Sequence, residues 1–361
     1  MSETVTTEAR EGDLIARREG SAGVLRLNRP KAINALTLEM TRAIDAALDA
    51  FAADPEIALV LLEGAGERGL CAGGDIVGLY NSAREGGDLG PVFWREEYIV
   101  NARIATFPKP YVAFMDGLVM GGGVGLSAHG SHRVVTDKTR IAMPEVGIGF
   151  FPDVGGTFLL SRAPGEVGTY FGLTGEIMNG ADAIFAGFAD RYVPSQQWSE
   201  VRAALTQAAA DADADAVRAI IEGFAIAPEP GPAQAHRAAI DRLFAHDSIE
   251  AIDAALQTDG SEFAQGALKA LRTKSPTSLK VTLRLLRSAR RAPSLQACLI
   301  DEYRAALEVF VSAEFIEGVR AAVIDKDRQP KWQPARIEDV DETIVGRYFV
   351  HRGESELQFP A

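Results

Sequence analysis

Two cysteines, Cys71 and Cys298, and five histidines occur among 361 residues. So small a set excludes a disulfide framework and fits a reducing compartment, read here as the cytoplasm. It also leaves no Cys/His grouping with zinc-ligand spacing, so no metal is expected; no separate cofactor is expected either. No apolar run reaches the ~18 residues that a membrane span needs. The opening stretch MSETVTTEAREGD lacks the basic-then-apolar order of a signal peptide and reads as a disordered polar tail over residues 1–12. Positive charge is also in short supply: 37 Lys and Arg stand against 50 Asp and Glu, for a net charge of −13. That balance opposes nonspecific nucleic-acid binding. It does not oppose a phosphorylated ligand, which needs only a few local cations and helix N-termini.

What is present is the composition of a globular protein, 47% hydrophobic and 24% charged. The first two hundred residues alternate strand-like and helical texture. Val24–Leu27 is short and β-prone, and a turn-rich loop, RPKAINAL, follows it. Met40, Ile44, Leu48 and Phe51 then recur at helical spacing. Residues 57–62 and 111–115 are continuous apolar runs of buried-strand type, and 133–136 and 140–143 give two more short strands. Strands separated by helices predict an α/β core with crossover connections.

After about residue 195 the texture turns to alanine-rich helix, broken by APEPGP at 227–232. Leu279, Leu283 and Leu286 continue the helical period. A core over 13–230 and a mainly α-helical region over 231–361 are therefore expected. The basic run Lys280, Arg284, Arg287, Arg290 and Arg291 reads as a solvated helix face.

Two glycine turns carry the chemical signal. CAGGD at 71–75 and MGGGVG at 120–125 each follow a strand-like run and precede a helix start, which for the second is expected at Val124–His129. Brought together, they would aim two backbone N–H groups at one point, as in an oxyanion hole. Glu145 and Asp153 follow in MPEVGIGFFPDVGG, each directly after a proline that stiffens its turn. Ile148, Phe150 and Phe151 would desolvate these acids and raise their pKa. Gly64–Gly69 matches GxGxxG after a strand, but no amphipathic helix opens at its third glycine, so a dinucleotide site is not supported. Cys71 has no evident histidine partner and is not read as a nucleophile.

The segments CAGGDI, MGGGVGLSAHG, MPEVGIGFFPDVGGTFLLSR and FIEGVRAAVIDKDRQPKW together resemble the enoyl-CoA hydratase/isomerase (crotonase) superfamily, and within it the 3-hydroxyisobutyryl-CoA hydrolase branch. The resemblance runs over residues 13–340. It implies a crotonase-like spiral of stacked ββα units followed by a helical extension covering the site. It also implies an acyl-CoA substrate, with homo-oligomers common in the superfamily. By position, it places the oxyanion donors at Gly74 and Gly122, the catalytic acids at Glu145 and Asp153, and a further substrate contact at Glu97 in REEY. Lys31 and Ala32 fall in its CoA-side loop, and Lys326 in the IDKD segment is a weaker phosphate contact.

The activity implied is hydrolysis of a short β-hydroxyacyl-CoA, 3-hydroxyisobutyryl-CoA in valine breakdown. Glu145 would attack the carbonyl or activate water, and Asp153 would orient the 3-hydroxyl. The rival on the same fold is an enoyl-CoA hydratase or isomerase. Hydration in this superfamily uses two glutamates, and the second would fall on Gly125, which has no side chain. A noncatalytic CoA- or RNA-binding relative is a third reading, opposed by the acidity and by the retained site residues.

Overall fold

A computed structural model describes residues 12–360. Up to residue 11, the tail expected at 1–12 lies outside the described residues. The main sheet has six strands: β1 (Leu14–Glu19), β2 (Ala22–Leu27), β3 (Leu59–Gly64), β4 (Tyr111–Met115), β6 (His132–Val135) and β8 (Arg191–Tyr192), in the order β1-β2-β3-β4-β6-β8. Only the β1–β2 pair is antiparallel. A second, two-stranded parallel sheet joins β5 (Leu118–Met120) to β7 (Arg140–Ala142).

Strands β3 and β4 carry the apolar runs 59–62 and 111–115 because helices cover both their faces. Alternate residues divide between two cores. Val24, Leu61, Val112 and Val134 face the helices Trp198–Thr206 and Ala214–Glu222 through Val201, Leu205, Val217 and Ile221. Leu25, Leu62, Ala113 and Val135 face the larger core on the other side. A one-residue slip would exchange the two faces, so burial fixes the register.

Between β2 and β3 runs α1 (Leu38–Ala53), capped by the Thr37 side chain on Met40 N and burying Met40, Ile44, Leu48 and Phe51, the expected stripe. Two helices, α2 (Ile76–Glu85) and α3 (Leu89–Ala105), link β3 to β4. No helix opens at Gly69. One expectation is corrected. The helix after the glycine run, α4 (Gly122–Ser127), begins inside the glycines rather than at Val124. Gly121, with φ 46° and ψ −121°, makes the sharp entry that lets it start there.

Downstream, α5 (Gly156–Arg162) and α6 (Val167–Thr174) pack against the C-terminal helix Pro276–Ala289, and the helix Leu295–Phe310 lies on α3 and α5. The C-terminal helices thus wrap the side of the molecule that holds the site. The basic run is tied to carboxylates: Lys280 to Glu250, Arg284 to Glu342, and both Arg287 and Arg290 to Glu166. No helix among the described residues is long and apolar enough to cross a membrane.

Candidate active site

The two glycine turns meet because their strands are stitched side by side. Cys71 N donates to Leu118 O at 3.1 Å and Met120 N to Cys71 O at 2.9 Å. A third strand of backbone secures the first turn: Leu36 N donates to Gly73 O at 2.8 Å, and Asp75 N to Leu36 O at 2.7 Å. These bonds engage the carbonyl of Gly73 and the N–H of Asp75, the groups flanking Gly74, and leave its own N–H unused. Among the described residues, neither Gly74 N–H nor Gly122 N–H donates to a protein acceptor. A Cβ placed on Gly73 would lie 3.8 Å from Gly122 N, so the turns are in contact. Two unpaired donors beside one cavity form the arrangement that stabilises a developing oxyanion.

That cavity, of about 390 Å³, is lined by Gly74, Gly122, Glu97, Glu145 and Asp153 together. Phe93, Trp94, Ile148 and Phe150 supply apolar wall, and Ala322 and Val323 close it from the C-terminal region. Trp94 and Phe150 pack with ring centroids 5.1 Å apart. Of the other expected site residues, Lys31 and Ala32 lie outside this lining, on the exposed turn Pro30–Ala32. Their loop is nevertheless joined to the first glycine turn through Leu36. Arg29, at its start, reaches Ala35 O and the Asp75 carboxylate.

Three carboxyl groups share this apolar space. Glu97, Glu145 and Asp153 are all buried, and Glu97 Oε1 and Glu145 Oε2 have no hydrogen-bond partner. Burial pushes all three upward. Glu97 lies well above the usual carboxylate range, through desolvation and then the charges of Asp153 and Glu145. Glu145 is likewise raised by burial and by Asp153. Asp153 rises to about 7, burial outweighing the stabilising hydrogen bond from Tyr98. Asp153 is therefore poised to exchange a proton near neutrality.

Several residues of the site were not singled out in the sequence. Tyr98 is fully buried and donates to Asp153 Oδ2 at 2.7 Å. Its signal was available: Trp94, Glu97, Tyr98 and Asn101 fall at helical spacing on α3. Lys274 lines the cavity, and burial lowers its pKa. Cys71 stands beside the hole, yet burial pushes its thiol up to about 12, and its Sγ meets Asn34 O at 3.2 Å. A thiol held neutral is a packing group.

Position 125 is closed as well as bare. A Cβ on Gly125 would lie 2.7 Å from Val154 Cβ and 2.8 Å from Asn101 Nδ2. A second glutamate therefore has no room there.

A family model described as enoyl-CoA hydratase/isomerase matches residues 22–349. The chain is 41% identical over 353 residues to a Xenopus tropicalis protein named 3-hydroxyisobutyryl-CoA hydrolase, mitochondrial, covering 97% of this chain and 91% of that one. It is 40% identical over 358 residues to the human protein of the same name, covering 98% and 92%. Among solved structures, a carnitinyl-CoA dehydratase from Mycobacterium thermoresistibile superposes with a TM-score of 0.91 at 46% identity, covering 96% of this chain and 98% of that one. An enoyl-CoA hydratase from Rhodobacter sphaeroides gives 0.89 at 43%, covering 96% and 100%. These superpositions bear out the crotonase-like α/β spiral with its helical extension. The cytoplasmic placement is corrected, because the curated relatives are mitochondrial by name. Two reduced thiols do not single out the cytosol among compartments.

Proposed function

The chain belongs to the enoyl-CoA hydratase/isomerase family, and from that premise we propose that it hydrolyses a short β-hydroxyacyl-CoA thioester. The substrate is 3-hydroxyisobutyryl-CoA, the products are 3-hydroxyisobutyrate and CoA, and the step belongs to valine breakdown. The names of the relatives over nearly the whole chain support this reading. The observation that carries it is the pairing of two unused N–H donors with Glu145 and Asp153 in one small cavity, while Val154 and Asn101 close position 125 to a side chain.

The thioester carbonyl sits between Gly74 N–H and Gly122 N–H, where each donor contributes roughly 3–4 kcal/mol once charge develops. Glu145 drives the attack, and two routes use the same residues. In one, its carboxylate oxygen bonds to the carbonyl carbon, the C–S bond breaks, and water later opens the mixed anhydride. In the other, it takes a proton from water, whose oxygen attacks the carbonyl directly. Both release the CoA sulfur as a thiolate that needs a proton. Ionised Asp153 orients the substrate's 3-hydroxyl and assists in passing the proton that water gives up to that sulfur. Glu97 contacts the acyl group against Gly122, and the loop bearing Lys31 and Ala32 meets CoA. The chain's own side chains account for each step with no cofactor beyond the substrate's CoA. Single turnover in ¹⁸O-water identifies the anhydride route when label appears in Glu145, which requires water to open the anhydride at the Glu145 carbonyl.

The two solved structures carry hydratase and dehydratase names, which favours hydration as a second reading. The closed position 125 opposes it, since the hydration mechanism of this superfamily places a glutamate there. The deciding experiment presents 3-hydroxyisobutyryl-CoA and crotonyl-CoA to one preparation. Hydrolysis predicts thiol release from the first that far exceeds hydration of the second. Rapid hydration without thiol release would overturn the assignment.

A further inference from the structure

The turn that carries Asp153 adopts a backbone its sequence resists. Val154 has φ +52°, in the left-handed region that β-branched residues rarely enter. Such a conformation persists only where the surroundings over-determine it. Here the determinants are specific. The peptide plane joining Val154 to Gly155 is held at both polar ends. Its carbonyl accepts a hydrogen bond from His129 Nε2–H at 2.8 Å, and its N–H donates to Glu302 Oε2 at 2.7 Å.

The two holders come from opposite sides of the turn. His129 directly follows Ala128, the C-cap of α4, and is buried, and burial lowers its pKa to about 4, so it remains a neutral donor. Glu302 sits on the helix Leu295–Phe310, 147 positions from Gly155, with no solvent exposure. Its second oxygen accepts from Thr157 N at 3.1 Å and also from the Thr157 hydroxyl. Gly155 is the N-cap residue of α5 and has no side chain with which to cap it. Glu302 therefore caps α5 from another element and grips the strained peptide with the same carboxylate.

We propose that His129 and Glu302 are positioning residues for the hydrolysis: together they lock the Val154–Gly155 peptide and so set where the Asp153 carboxyl points. Neither touches the substrate. The functional part of this inference rests on the role proposed for Asp153, whereas the lock is a property of the turn itself. It gives the C-terminal helical region a part in the chemistry, because the carboxylate that holds the turn comes from there.

The test uses the full chain with H129L, H129Q, E302Q and T157V, each checked for cooperative thermal unfolding. Two readouts are taken: kcat and KM for thiol release, and backbone hydrogen exchange at Gly155. H129L and E302Q are expected to lower kcat about 10- to 100-fold, the scale of a small misplacement of a reacting group, with KM within about threefold. H129Q, whose Nε2–H can reach the same carbonyl, recovers most of that loss. T157V removes one donor to Glu302 at nearly constant volume, and it provides a milder variant with a smaller loss in kcat should the others fail to fold. Gly155 exchange accelerates in E302Q.

The proposal is overturned if folded variants keep kcat within about twofold of wild type. It also fails if H129Q is as slow as H129L, or if Gly155 exchange is unchanged in E302Q. A wild-type protein that releases no thiol would overturn the functional reading instead, while the exchange measurement would still decide the lock.

Discussion

The Tyr98 hydroxyl donates to Asp153 Oδ2 at 2.7 Å inside a space with no solvent exposure at Tyr98. That bond favours the ionised carboxylate against the burial that opposes it. Tyr98→Phe removes the donor at nearly constant volume. Asp153 should then titrate at higher pH, so the acid limb of the kcat profile moves up. At pH 7 kcat should fall about 10-fold. The measurement is a pH–rate profile of both proteins. An unshifted limb would mean that Tyr98 only packs.

The same carboxyl should make the folded protein pH-sensitive. Burial holds Asp153 at about 7 against an ordinary 3.8, so between these values the folded state binds a proton more tightly than the unfolded chain. Its contribution to stability therefore declines as pH rises through that window and levels off above about 8. Asp153→Asn abolishes the effect. The variant should melt close to wild type at pH 4 and above it at pH 8, by no more than about 4 kcal/mol. Melting curves at the two pH values check the sign.

The two oxyanion glycines should respond unequally to alanine. At Gly122 a Cβ would overlap Glu97 Oε1 and lie 3.0 Å from Leu36 Cδ1, so Gly122→Ala displaces a substrate contact and the hole together. A loss of about 100-fold or more in kcat is expected. At Gly74 the Cβ would meet the edge of the Phe93 ring, Cε1 at 3.2 Å and Cζ at 3.4 Å, with Leu79 Cδ1 at 4.0 Å, and the N–H is retained. Gly74→Ala should cost less than about 10-fold. Steady-state kinetics on the pair test the asymmetry.

Cys71 belongs to the first glycine turn, with Gly73 N–H pointing to its Sγ at 3.4 Å, yet it should be dispensable. Its thiol is held neutral by burial. Cys71→Ala should keep kcat within about threefold of wild type, while stability drops by about 1–2 kcal/mol for the lost volume and contacts. Loss of activity on alkylation of the folded protein would contradict this.

The strands at 24–27, 57–62 and 111–115 and the stripe of α1 were legible because burial on both faces, or on one helical face, writes itself directly into apolar spacing. Within the site, Glu145 and Asp153 stood out in their proline turns, whereas Gly74, Gly122 and Glu97 followed from the family resemblance; one cavity brings all five together. The start of α4 was misplaced because three successive glycines argue against a helix locally, whereas packing overrides that propensity. The partners of the Asp153 turn were hidden for a different reason. Glu302 is an isolated acid on the apolar stripe Cys298, Leu299, Glu302, Tyr303 and Ala306, and its donors lie some 145 positions away. A buried acid signals a need for donors, but spacing along one helix cannot say which distant turn provides them.

The most direct test of the account is thiol release from 3-hydroxyisobutyryl-CoA by wild type, Glu145→Gln and Asp153→Asn, each shown to fold by its melting curve. Rapid release by wild type that falls by about 100-fold or more in both variants is the predicted result. Release that survives in folded Glu145→Gln would contradict it, and would place the reaction on groups other than this buried carboxyl pair.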